Sequence, residues 1–63
     1  MNELEKQWID RCIENSDKYI IVVDNDCAYV LGNEGECVFE FHNWGWRLAL
    51  DLFRYIGCNA EEA

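Results

Sequence analysis

The feature that most constrains this chain is a double change of hydrophobic period. Residues 2–16, NELEKQWIDRCIENS, repeat like a helix, residues 19–41 repeat like strands, and residues after Asn43 return to the helical repeat. In the first segment Leu4, Trp8, Ile9, Cys12 and Ile13 share one side. On the other side Glu3, Asp10 and Glu14 fall within roughly 40° of one another at 100° per residue, an acidic stripe facing water.

The middle segment predicts three strands. Tyr19 to Val23 is aromatic and β-branched, Asp24-Asn25-Asp26 is turn chemistry, Cys27 to Leu31 is strand-like again, and GNEGE leads into the alternating CVFEF. With turns centred on Asn25 and Glu34, one sheet face carries Tyr19, Ile21, Val23, Cys27, Tyr29, Leu31, Cys37, Phe39 and Phe41, the expected core. The other face then carries Ile20, Val22, Ala28, Val30, Val38 and Glu40. It is mostly apolar too, and asks for cover.

The last helix is expected to begin after Asn43, a good N-cap, and to end at Gly57. Its apolar residues span an arc of about 240°, where a surface helix needs little more than about 100°. Arg47, Asp51 and Arg54 form the polar remainder. Either this helix is sandwiched inside the domain, or part of the arc meets another chain, with Trp44, Trp46 and Leu50 as the apolar contact residues. Residues 58–63 read as a frayed acidic tail. The expectation is therefore an α+β fold in one small domain, residues 1–63, ordered α-β-β-β-α, with a three-stranded antiparallel meander packed by two helices.

At 63 residues, a chain with 51% hydrophobic residues folds rather than staying disordered, although its formal net charge is −8. That charge disfavours direct nucleic-acid binding, which draws on Lys and Arg. It suits a basic partner, attracted at long range, although plain solubility is the commoner reason for such a charge on a small protein. Cysteines 12, 27, 37 and 58 match no metal-ligand spacing, so free thiols, no metal and no cofactor are expected. No signal sequence or membrane-length apolar run is present in the sequence, and the reading is a cytoplasmic protein with no membrane partner.

Catalysis has little to draw on. The chain has no threonine, one serine and one histidine, so only a Cys–His pair can be assembled. Cys37 and His42, an odd number apart on one strand, are expected on opposite faces, and Cys27 comes nearer to His42 across the meander. Asp24-Asn25-Asp26 begins like a calcium loop but has Tyr29 where glycine and Gly35 where glutamate are needed. Gly32 and Gly35 make no phosphate loop, since no helix N-terminus follows them. No catalytic residue is expected, and the protein reads as non-enzymatic.

What remains is the placement of carboxylates. The topology gathers Glu14, Asp17, Glu34 and Glu36 at one end of the sheet, with Lys18 beside them. Along the first helix, residues four and seven apart are about 6 and 10.5 Å apart, a range that brackets neighbouring backbone phosphates, so Glu3, Asp10 and Glu14 are suited to imitate a phosphate row. An ordinary solvated helix face would look the same.

A small, acidic, proline-poor chain with GWRLALDLFRYIG followed by NAEE resembles proteins encoded by bacteriophages and mobile elements, including the anti-defence, anti-CRISPR-like class. The resemblance covers size, charge and the last helix. It implies an inhibitor that acts as a DNA mimic, whose partner is the basic groove of a nucleic-acid-binding host complex, and it transfers no individual residue. The alternative is a small homodimer or regulatory protein-binding subunit acting through the apolar face of the last helix.

Overall fold

The fold described here is a computed structural model covering residues 2–42 and 45–63, with the side chain of Trp46 outside the described set. The elements are α1 (Glu3–Glu14), β1 (Ile20–Val23), β2 (Cys27–Leu31), β3 (Cys37–His42), α2 (Trp46–Tyr55) and β4 (Ala60–Glu62). The order α-β-β-β-α and the antiparallel meander are as expected. A short fourth strand makes the sheet mixed, in the order β3-β2-β1-β4.

α1 starts with a capping box: Glu5 N–H donates to Asn2 Oδ1 at 2.8 Å and Asn2 N–H donates to Glu5 Oε1 at 3.1 Å. Two of the helix's orphan donors are thereby satisfied. Ile9 and Cys12 enter the core, and Trp8 covers its margin against Tyr19 and Phe39. Leu4 and Ile13, expected on the packing face, are exposed.

The first hairpin departs from the expected register. Asp24 N–H donates to Cys27 O at 2.9 Å, so the loop between these paired residues is Asn25-Asp26 rather than a turn centred on Asn25. Val23 therefore faces Ala28 and Ile21 faces Val30. Moving the turn centre by half a residue slips β2 by one position, which exchanges its two faces. Ala28 and Val30 are in the core, while Cys27, Tyr29 and Leu31 lie on the outer face.

In the second hairpin Val30 pairs with Phe39 but Leu31 pairs with Cys37, so Val38 is an extra residue in a bulge. The bulge returns Phe39 and Phe41 to the core side, as expected. It also turns Cys37 to the outer face shared by His42, contrary to simple alternation, although the two sit at opposite ends of β3.

α2 begins at Trp46 with Gly45 as its N-cap and without a side-chain cap. The expected cap, Asn43, lies outside the described residues. At the other end Gly57, at φ 98°, supplies the left-handed residue that was expected there. Cys58 N–H donates to Phe53 O and Gly57 N–H to Arg54 O, the paired bonds of a Schellman motif. This turn buries Cys58 and sends the chain back along β1. Residues 58–63 are thus not a frayed tail: Ala60–Glu62 pairs in parallel with β1, and Ile21 N–H donates to Asn59 O at 2.8 Å. The cause is the edge of β1, whose open donors and acceptors any adjacent backbone can satisfy.

Both helices cover one face of the sheet. Ile9 and Cys12 of α1, Ala49, Leu50 and Phe53 of α2, and Ile21, Val23, Ala28, Val30 and Phe41 of the sheet make one buried cluster. Among the described residues no helix covers the opposite face.

Candidate functional site

Charge dominates the surface. Every Asp and Glu except Glu5 is exposed, including all six carboxylates singled out from the sequence. Glu3, Asp10 and Glu14 project to water from α1, the face opposite Ile9 and Cys12. Asp17 follows in the turn that leaves the helix. It lines a shallow depression with Lys18, Asn33 and Asn59. An adjoining depression holds Glu34 and Glu36, again with Lys18, and the Glu36 carboxylate folds over Gly32. The structure therefore brings Asp17, Glu34 and Glu36 together around Lys18 at one end of the sheet. Among the described residues none of the six forms an ion pair with Lys or Arg.

The apolar candidates fare differently. Trp44 lies outside the described residues, as does the side chain of Trp46. Leu50 is 7% exposed and belongs to the core, so it is no contact residue. Among the described side chains of α2 the exposed apolar ones are Leu48 at 80%, Tyr55 at 88% and Leu52, spaced four and three apart on one stripe. The excess arc of this helix is thus divided: Ala49, Leu50 and Phe53 serve the core and the stripe faces water. Wheel geometry could reveal the excess but not which flank the sheet would take.

On the outer sheet face Cys27 and His42 are directly paired across β2 and β3. Cys27 Sγ and Tyr29 Oη are hydrogen-bonded at 3.1 Å, and His42 Nε2 lies 3.5 Å from Glu40 Oε2. The side-chain hydrogen bond between Tyr29 and Cys27, followed by the charge of Cys27, burial and the charges of Asp24 and Glu40, pushes the Tyr29 phenol up to about 12. Cys12 and Cys58 are buried on the core side, and all four thiols are free. Among the described residues no cluster of three or more His, Cys, Asp or Glu is arranged to hold a metal ion, and no helix is long and apolar enough to cross a membrane.

Sequence reasoning missed the outer sheet face as it is built. Ile20, Val22, Tyr29 and Leu31 are partly exposed at its centre, and Glu40 and Glu61 stand exposed at its sides. The signal was present in the two-sided apolar character of β1, but the register of β2 decided which residues joined it. No protein-family model, curated protein or solved structure matches the chain.

Proposed function

We propose that this protein is a non-enzymatic inhibitor that binds a basic, nucleic-acid-handling complex through its acidic surface, in the manner of an anti-CRISPR-like DNA mimic. The observation that carries the reading is the exposed row Glu3, Asp10 and Glu14 on α1, with Asp17, Glu34 and Glu36 as a second group at the end of the sheet, none ion-paired to Lys or Arg among the described residues. Each such carboxylate contributes about 0.2 to 1 kcal/mol against a basic partner, because solvent screens it, so the sum rather than any one member sets affinity. Long-range attraction from a surface of this sign raises the association rate.

The test uses the unmodified protein and its Glu3→Lys/Asp10→Lys/Glu14→Lys variant side by side, first to capture partners from bacterial lysate and then to measure association with the recovered partner. The variant should fold normally and associate about tenfold more slowly at low salt, and the difference should shrink as salt rises. Asp51→Lys, between Arg47 and Arg54 in sequence, should change the rate far less. Equal recovery of the same partners by both proteins, or an acidic partner, overturns the reading.

A second reading has its own support in the stripe Leu48, Leu52 and Tyr55: a homodimer or regulatory subunit that docks through α2. Light scattering separates it from the first. A concentration-dependent dimer that Leu48→Glu/Tyr55→Glu converts to monomer would favour it.

A further inference from the structure

We propose that the outer face of the sheet is a second interaction surface, a seat for an amphipathic helix of another protein whose apolar stripe is flanked on both sides by Lys or Arg. This surface is on the layer opposite the helices, and the proposal does not depend on the role given to α1.

The argument starts from the strand order. Across the sheet, Glu40 of β3 pairs with Tyr29 of β2, Tyr29 with Val22 of β1, and Val22 with Glu61 of β4. One row therefore reads carboxylate, phenol, isopropyl, carboxylate. In the neighbouring row Leu31 pairs with Ile20, extending the apolar centre along the two inner strands. The two carboxylates are three strand spacings apart, about 14 Å. A helix with its side chains is about 10 to 12 Å across, so one helix fills the apolar strip and places its flanks over Glu40 and Glu61.

Charge selects the occupant. None of the four strands contains Lys or Arg, and both margins are acidic. A second copy laid face to face would set carboxylates against carboxylates around an apolar centre, and an anionic membrane surface would be repelled. A basic-flanked helix is the partner for which both the apolar strip and its margins are complementary.

The probe is a synthetic helical peptide with a leucine stripe and lysines on both flanks, mixed with the isotope-labelled full chain. Amide shifts should concentrate at Ile20, Val22, Tyr29 and Leu31. A peptide of the same composition, scrambled to remove the stripe, should bind about tenfold more weakly. Two variants with the same change in formal charge provide the decisive comparison. Glu40→Lys/Glu61→Lys should weaken binding about tenfold, and Asp26→Lys/Asp51→Lys should leave it within about twofold. The proposal is overturned if the peptide does not bind, if the shifts centre on α1, or if both variants weaken binding equally, which would mean diffuse charge attraction. Concentration-dependent shifts of the β1 and β2 amides in the protein alone would assign the face to a second copy instead.

Discussion

The rings of Trp8 and Phe39 stack with centroids 5.6 Å apart and planes 13° apart, and this contact joins α1 to β3 across the margin of the core. Tyr19 meets the same indole edge-on at 5.7 Å, and the Arg11 guanidinium lies 4.7 Å from its centroid. One side chain thus holds the acidic helix against the sheet, with only Ile9 and Cys12 buried beside it.

Trp8→Ala should consequently cost about 2 to 3 kcal/mol, below the range for a fully buried tryptophan because Trp8 is partly exposed. Urea unfolding followed by circular dichroism measures this. A loss under about 1 kcal/mol would mean that α1 is held elsewhere.

The register of the first hairpin makes neighbouring residues behave oppositely. Ala28 is fully buried and Cys27 is on the outer face. Ala28→Leu should overpack the core and destabilise by about 1 to 3 kcal/mol, whereas Cys27→Leu should be nearly neutral. The reverse result would restore the turn centred on Asn25.

A similar contrast separates the two sides of α2. Leu50→Glu places a carboxylate in the core and should unfold the protein or cost more than about 3 kcal/mol. Leu48→Glu, at a position 80% exposed, should shift the unfolding midpoint little. Thermal unfolding of the two variants decides the point.

The buried thiols link stability to pH. Burial, with Cys58 nearby, pushes Cys12 from 9.0 to about 12, and burial pushes Cys58 from 9.0 to about 11. The folded state then holds protons that the unfolded chain releases above pH 9, so this stabilisation is complete below that pH and is lost as pH rises toward the folded values. Denaturant titrations should show stability falling from about pH 9 toward about pH 12, with a smaller fall in Cys12→Ala/Cys58→Ala. The same burial should leave Cys37 alkylated first and these two last in the native protein.

Element order and type were legible in the sequence because periodicity reports them locally. The helical repeat around Trp8, the alternation in CVFEF and the glycine at 57 each needed only a few neighbouring residues. The acidic surface was equally legible, since carboxylates stay in water unless something pairs with them. Other features could not be read locally. The strand Ile20–Val23 is apolar on both faces, so its pattern does not choose a register, and the hydrogen bond from Asp24 to Cys27 made that choice and assigned Ala28 and Val30 to the core. Ala60–Glu62 has little strand preference of its own and pairs because the Schellman turn delivers it to the open edge of β1. Leu48 and Leu50 are the same residue two positions apart, and only the approach of α2 to the sheet made one a surface and the other a core, because burial is a property of the packed pair rather than of either element alone.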